Sequence, residues 1–215
     1  MKQIIFYFDF ISPYAYLAFE RLPQALMGHS YSVSYRPVLF AAMLKHYGQL
    51  GPAEIEPKRL WTYRQCLWLA QQQGTPFVFP QNHPFNPLAL LRLAYACAGE
   101  GALPNRYVCE TIFRHAWATG QDAADTQGIA SLSKVLAPGL TPSGDAVKAQ
   151  LKAQTDAAIA QQCFGVPSLV VDDKVFWGQD ALPMLRDYLD RSPWFEGPSW
   201  QSAAAVGAGT VRRGR

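Results

Sequence analysis

The spacing of hydrophobic residues changes twice before residue 37. Residues 4–8 are an unbroken apolar run, which is typical of a buried strand. Ser12 and Pro13 are residue types favoured at the N-cap and first position of a helix, and apolar residues follow at helical spacing. From Tyr31 to Arg36 apolar and polar residues alternate, as in a half-buried strand. The pattern predicts a right-handed β-α-β unit with Ser12 at the strand-to-helix junction.

The central part of the chain has helical spacing and no second set of strand signals. The predicted helical stretches are residues 57–73, 86–98, 105–118 and 144–162. Between the first two, the segment 74–87 contains four prolines, which predicts a rigid irregular loop.

Strand signals return near the C-terminus. Residues 168–171 and 174–177 are separated by two polar residues, which predicts a β-hairpin, and a helix over 180–191 follows. The pattern therefore predicts an α/β fold in three parts. These are one domain formed by 1–40 with 163–200, an all-helical insertion over 41–162, and a flexible tail over 201–215.

The formal charge of +3 lies entirely in the tail. Arg212, Arg213 and Arg215 are accompanied by no acid there, so residues 1–200 carry 16 basic and 16 acidic side chains. A balanced body without a basic stripe predicts neither a nucleic-acid partner nor binding to a membrane surface.

The N-terminal apolar run is interrupted by Asp9 and Pro13 and has no small-residue cleavage site, so we expect no signal peptide. No run approaches the ~20 apolar residues of a membrane span. The four cysteines form no CxxC pair and no zinc-ligand spacing with histidine. These features predict a soluble, unprocessed, cytoplasmic protein with reduced thiols and no metal site.

Three polar breaks are candidates for chemistry. A hydroxyl at Ser12, next to the positive end of a helix dipole, can stabilise a thiolate, although it can equally be a plain N-cap. The bond before Pro167 can be cis and leave the Val166 backbone free to pair with an extended peptide, although an ordinary turn is the alternative. Gly178 allows close approach of a ligand, and Asp180 can accept an ammonium group or simply cap a helix.

Four segments of the chain together carry a family resemblance: FYFDFISPYAYLAFERL, GPAEIEPKRLWTYR, FVFPQNHPFNPLALLRLA and FGVPSLVVDDKVFWGQDAL. Over about residues 3 to 191 the chain resembles the 2-hydroxychromene-2-carboxylate isomerases and the related kappa-class glutathione transferases. The resemblance implies a thioredoxin-like fold of the DsbA and kappa type with a long helical insertion. Serine stands where a disulfide oxidoreductase has CxxC.

The resemblance implies glutathione as cofactor. Ser12 would hold its sulfur as the catalytic residue, and Val166 before a cis Pro167 would pair with the cysteinyl unit. The γ-glutamyl end would lie against Trp177, Gly178, Gln179 and Asp180. The reaction implied is the interconversion of 2-hydroxychromene-2-carboxylate and trans-o-hydroxybenzylidenepyruvate, or a close analogue, by reversible thiolate addition in aromatic degradation. Relatives of this kind are commonly homodimers.

Substrate contacts match the family less well. The family has an Asn-Arg pair where this chain has Glu54 and Ile55, a lysine at Leu44 with Lys45 adjacent, and a tyrosine at His83. The remaining candidates for contact with a small aromatic-derived substrate are Lys45, Glu54, His83 and Asn86, with Lys58, Arg59 and Arg64 as further cations for its carboxylate. His83 can instead be a surface or capping residue and Asn86 a helix N-cap.

Three aromatic residues of the first central helix, Trp61, Tyr63 and Trp68, are favoured as core rather than as a platform for the substrate. Two other functions stay open at this point. One is a kappa-like glutathione transferase or peroxidase that consumes glutathione. The other is a non-catalytic binding module of thioredoxin fold, in which Ser12 is only a cap.

Overall fold

The predicted β-α-β unit is present in the computed structural model, which describes residues 1–207 and 209. Strand β1 (Lys2–Phe8) leads into helix α1 (Pro13–Ala25), and β2 (Tyr31–Pro37) pairs parallel to β1 with Ile4 opposite Val33. The Ser12 side chain accepts from the Ala15 N–H at 3.2 Å, so the predicted N-cap is confirmed.

The predicted hairpin completes the sheet. Strands β3 (Ser168–Val171) and β4 (Lys174–Trp177) pair antiparallel, and β3 pairs antiparallel with β1. The order β2-β1-β3-β4 places β1 and β3 in the middle, where their side chains are most deeply buried. The carboxyl end of β1 therefore places residues 9–12 in the middle of the sheet's width, at one end of its strands.

Helices occupy the predicted insertion, and the described residues 41–162 contain no strand. The helices after β2 are α2 (Phe40–Tyr47), α3 (Glu56–Gln73), α4 (Leu88–Ala98), α5 (Arg106–Trp117), α6 (Thr126–Leu136), α7 (Asp145–Ala160), α8 (Leu182–Leu189) and α9 (Pro198–Ser202). The helical stretches predicted from the sequence did not include α2 and α6. Helix α6 has low intrinsic propensity because it contains Gly128, and the Asp125 carboxylate caps it at 2.8 Å.

Two predicted boundaries differ from the structure. The helix expected over 180–191 is a short 3₁₀ turn, Gln179–Ala181, followed by α8. The tail expected over 201–215 begins within α9 and a further 3₁₀ turn, Ala203–Ala205, while residues 208 and 210–215 lie outside the described residues. The division into domains at residues 40 and 163 stays a prediction.

The alternation of β1 side chains builds a core on each face of the sheet. Phe6 and Phe8 face α1 and α5 within a large aromatic cluster in which the Phe8 and Phe113 rings are 5.0 Å apart. Tyr7 faces the opposite side, with Met43 of α2 and Cys163. Burial of both faces explains why the apolar run of residues 4–8 is continuous rather than alternating.

All four cysteines are free, and three of them, Cys66, Cys109 and Cys163, are buried. Burial raises the pKa of Cys66 to about 12 and that of Cys163 to about 11, so these thiols are protonated near neutral pH. Among the described residues there is no helix with the length and apolar content needed to cross a membrane.

Candidate active site

Ser12 lies where three backbone segments meet. Its own N–H donates to the Asp9 carbonyl at 3.1 Å, which closes the turn between β1 and α1. Its hydroxyl is 3.5 Å from the Val166 carbonyl, across 154 residues of sequence, and the residue is only 8% exposed. The capping bond uses the oxygen as acceptor, and the hydroxyl hydrogen makes a long contact. That hydrogen is therefore free to turn towards an anion at the start of α1.

The segment opposite Ser12 is held by its own bonds. The Val166–Pro167 peptide bond is cis, as the sequence allowed. The Pro167 carbonyl accepts from the Gly178 N–H at 2.9 Å, and the Ser168 hydroxyl donates to the Gly165 carbonyl at 2.7 Å. These contacts join the Val166 segment to the turn after β4.

A cavity of about 210 Å³ opens between these segments. It is lined by Tyr14, Gln65, Val166, Pro167, Trp177, Gly178, Gln179 and Asp180. Every residue that the resemblance assigned to glutathione, apart from the adjacent Ser12, lies on this wall. The cavity thus brings together side chains from α1, α3 and the hairpin that are far apart in sequence.

Two glycines give the wall its shape. A Cβ on Gly165 would lie 2.5 Å from the Trp177 indole nitrogen, so the indole lies directly over this glycine. Gly178 has φ +95°, and a Cβ there would lie 2.3 Å from an Asp180 carboxylate oxygen. Glycine at 178 therefore permits both the backbone conformation and the place of the Asp180 carboxylate.

The charge on the cavity wall is a single carboxylate. Among the described lining residues Asp180 carries the one formal charge, and no lysine or arginine is present. The positive potential at the site comes from the N-terminal end of α1 at Ser12. This arrangement suits a ligand that presents an ammonium group to Asp180 and a soft anion to Ser12.

Tyr14 and Gln65 line the cavity although neither was predicted as a site residue. The Tyr14 hydroxyl donates to the Gln65 side-chain oxygen at 2.6 Å and joins α1 to α3 across the cavity. Burial raises the pKa of Tyr14 to about 12, so it stays a neutral donor. Tyr14 follows Ser12 and Pro13 directly, and this adjacency is the one sequence feature that could have pointed to it.

Asp9 is a third residue for which the sequence analysis predicted no role in the site. Its carboxylate is buried, with 1% of the residue exposed, and accepts from the Ile11 N–H at 3.1 Å and the Phe40 N–H at 2.9 Å. Burial raises the pKa of Asp9 to about 7, and the backbone donors oppose that shift. A carboxyl that can change its charge near neutral pH thus lies under the Ser12 turn.

His83 lies outside the residues that line the cavity, and both of its ring nitrogens contact protein. Nε2 is 2.9 Å from the Ile11 carbonyl, which can only accept, so Nε2 carries the proton. In the neutral ring Nδ1 is an acceptor, and the one hydrogen of the Tyr63 hydroxyl is shared between Nδ1 at 2.8 Å and the His83 carbonyl at 2.9 Å. This geometry favours the structural alternative, in which His83 fastens the proline-rich loop to the turn before Ser12.

The burial of His83 predicts a pH effect. Burial lowers the pKa of His83, so below about pH 6.5 the unfolded chain takes up this proton more readily than the folded chain. His83 therefore contributes a loss of unfolding free energy between pH 7 and pH 5, which His83→Gln should remove, while Asp9 with its raised pKa contributes a gain over the same range in both proteins. Urea unfolding at several pH values measures this difference, with the exposed His46→Gln as control. Equal pH dependence in wild type and His83→Gln would contradict the assignment.

The other substrate candidates are separate from the cavity wall. Glu54 accepts from the Gly51 N–H at 2.6 Å within a 3₁₀ turn. Asn86 accepts from the Leu88 N–H at 3.1 Å at the start of α4, and Lys45 is exposed in the last turn of α2. Their contact with a substrate stays a prediction. The assignment of Trp61 and Trp68 to the core is wrong, because they are 65% and 58% exposed on the outer face of α3.

Comparison with known proteins agrees with this geometry. The DSBA-like thioredoxin domain family matches residues 3–190. A 2-hydroxychromene-2-carboxylate isomerase of Pseudomonas putida is 30% identical over 195 residues, which cover 86% of this chain and 93% of that protein. The chain belongs to the 2-hydroxychromene-2-carboxylate isomerase family, within the DSBA-like thioredoxin fold.

Two further proteins, a kappa-class glutathione transferase and a solved isomerase, are similar to this chain. A glutathione S-transferase kappa 2 of Caenorhabditis elegans is 27% identical over 217 residues, covering 92% of this chain and 95% of that protein. A solved 2-hydroxychromene-2-carboxylate isomerase superposes with a TM-score of 0.74 at 26% identity, covering 95% of this chain and all of that one. The predicted thioredoxin-like fold of the DsbA and kappa type is confirmed.

Proposed function

We propose that this protein is a glutathione-dependent isomerase. Its substrate pair is 2-hydroxychromene-2-carboxylate and trans-o-hydroxybenzylidenepyruvate, or a close analogue, in the cytoplasmic breakdown of aromatic compounds. One observation supports this above all, which is the single cavity that joins the Val166 backbone to Asp180 beside the Ser12 hydroxyl. The names of the relatives agree with both the reaction and the thiol.

The residues present fit glutathione. Ser12 offers a hydroxyl hydrogen to a thiolate at the start of α1, where the helix dipole favours negative charge. The backbone of Val166, which lines the cavity, can pair with an extended peptide backbone. Asp180 can accept the γ-glutamyl ammonium group, and Gly178 lets that group approach the chain.

The residues around the cavity have different roles in the proposed reaction. Glutathione held by these residues would supply a thiolate for reversible addition to the conjugated substrate. Ser12 holds the sulfur and favours its anionic form. Tyr14, fixed by Gln65, narrows the cavity from the side of α1 and α3 and orients the ligand. We also propose a homodimer, on the strength of the family resemblance alone.

Turnover with and without glutathione tests the function. We expect isomerisation, followed by ultraviolet absorbance, to require glutathione while the total glutathione concentration stays constant. A fall in glutathione that matches product would instead identify a transferase or peroxidase, as the kappa-class relatives suggest. Failure to bind glutathione at millimolar concentration would overturn the enzyme hypothesis and favour a binding module.

Gly178→Ala should weaken glutathione binding at least tenfold. Its Cβ would lie 2.3 Å from the Asp180 carboxylate, so the carboxylate must leave its place. The dissociation constant from calorimetry measures the effect, and a tenfold change corresponds to about 1.4 kcal/mol. Gly74→Ala is the control, because Gly74 also has positive φ (+63°) but has open space around it and is not among the residues that line the cavity. Equal loss of binding in both variants would mean that a general effect on folding, and not the place of the Asp180 carboxylate, weakens binding.

A further inference from the structure

The Asp9 side chain stabilises the turn that carries Ser12 through hydrogen bonds to two backbone N–H groups. One carboxylate oxygen accepts from the Ile11 N–H at 3.1 Å and the other from the Phe40 N–H at 2.9 Å. The first donor belongs to the turn itself and the second to the start of α2. The Asp9 backbone carbonyl also accepts from the Ser12 N–H. Asp9 therefore holds both Ile11 and Ser12, the two residues that precede α1.

Among the residues that the structure describes, the Asp9 carboxylate has no counterion. It makes no ion pair with any described residue, and the groups that shift its pKa are backbone N–H donors of Phe40, Ile11 and Phe10 besides burial itself. A buried carboxylate without a cation is unusual, since an ion pair would normally offset its desolvation. Removing the charge of Asp9 would therefore leave no cation unpaired among the described residues.

The elements around Asp9 bring no ionised group to it. Titratable side chains on the face of the sheet covered by α2 and α7 include Tyr7, Arg36 and Cys163, and the Arg36 guanidinium lies over the Tyr7 ring at 5.8 Å. His83 of the proline-rich loop contacts the Ile11 carbonyl at 2.9 Å, and burial lowers its pKa and so favours its neutral form. On α1 the nearest in sequence is Tyr14, which is neutral, and Lys45 of α2 is exposed. None of these groups contributes to the shift in the pKa of Asp9.

We propose that Asp9 is a positioning residue for Ser12 and that its negative charge opposes the charge of a thiolate held there. This inference rests on the proposed function, because it concerns the thiol at the same site. Three residues span at most ~11 Å. At that range two unit charges in a protein interior of effective dielectric constant ~20 shift one another's titration by about one pKa unit.

The coupling is reciprocal. When Asp9 is ionised, the thiol at Ser12 titrates at a higher pH, and when that thiol is ionised Asp9 holds its proton more strongly. Loss of the Asp9 charge should therefore extend thiolate formation to lower pH. A role confined to hydrogen bonding would reduce stability and leave the thiol titration unchanged.

An introduced thiol tests the inference without glutathione. In Ser12→Cys the rate of alkylation by iodoacetamide against pH gives the pKa of the thiol at position 12, with the native chain as background for the four existing cysteines. Addition of Asp9→Asn should lower that pKa by about one unit, a tenfold gain in thiolate at the lower pH. Thr155→Val is the matched control, since the buried Thr155 hydroxyl accepts the neighbouring Leu39 N–H at 3.0 Å and carries no charge.

A second measurement tests the same inference if the Asp9→Asn variant does not fold. In Ser12→Cys alone, carbon-13 titration of the Asp9 carboxyl before and after alkylation should show its pKa fall by about one unit once the thiolate is blocked. Equal thiol pKa values in all backgrounds, or equal shifts in Asp9→Asn and Thr155→Val, would overturn the inference. If the thiol shifts as expected while the native chain fails to bind glutathione, the role of Asp9 stands and the proposed function fails.

Discussion

Replacing Ser12 with Ala should reduce kcat/KM on the order of 100-fold. A hydrogen bond to a charged group contributes about 1.5–3 kcal/mol, and each 1.36 kcal/mol corresponds to a factor of ten in rate. The loss is expected because the proposed glutathione thiolate at the start of α1 would then lack the Ser12 hydroxyl as a hydrogen-bond donor. Steady-state kinetics with glutathione, and the pH dependence of the rate, measure the effect. The apparent thiol pKa should rise in the variant.

A cap on another helix separates catalysis from stability. Asn105 caps α5 through the Val108 N–H at 3.0 Å, in the same way that Ser12 caps α1. Asn105→Ala should lose about 1 kcal/mol of stability, as Ser12→Ala does through its cap, and keep its turnover. If the two variants lose activity equally, Ser12 is only a cap.

Local chemistry explains which parts of the site the sequence could reveal. Ser12 with Pro13, the two-residue turn before Lys174, and Gly178 are signals carried by a few neighbouring residues, because capping and turn geometry depend on nearby backbone groups. Their positions in the structure follow the prediction. The family resemblance assigned Ser12 and Gly178 to one ligand; Gly178 lines the cavity, and the Ser12 hydroxyl lies 3.5 Å from the carbonyl of Val166, another lining residue.

Contacts between distant segments explain what the sequence could not reveal. Asp9 is followed by an apolar pair, and its partner Phe40 lies 31 residues away, so no spacing marks it as a buried acceptor. Gln65 meets Tyr14 only because α3 packs on α1. Trp61 and Trp68 share the helical spacing of core residues, and only the three-dimensional structure shows that they lie on the outer face.

Replacing Trp117 with Ala should lower the free energy of unfolding by about 3–5 kcal/mol, as is typical for a large buried aromatic residue. The side chain is 0% exposed, and its ring stacks on Phe77 at 5.7 Å between centroids. Its indole N–H donates to the Phe10 carbonyl at 2.8 Å, two residues before Ser12. Because domains of this size are stable by about 5–15 kcal/mol, the loss is a large fraction of the total.

Graded variants identify which part of Trp117 matters. Trp117→Phe should lose less than Trp117→Ala, since it keeps most of the ring and removes the bond to the Phe10 carbonyl, at about 1–3 kcal/mol. Trp61→Ala, on the 65% exposed Trp61, should change stability by no more than about 0.5 kcal/mol. Chemical unfolding followed by circular dichroism measures all three. If Trp61→Ala and Trp117→Ala were equally destabilising, the burial of Trp117 between the helical part and the Ser12 turn would be wrong. The turn would then depend for its place on Asp9 and on the contact of His83 with the Ile11 carbonyl.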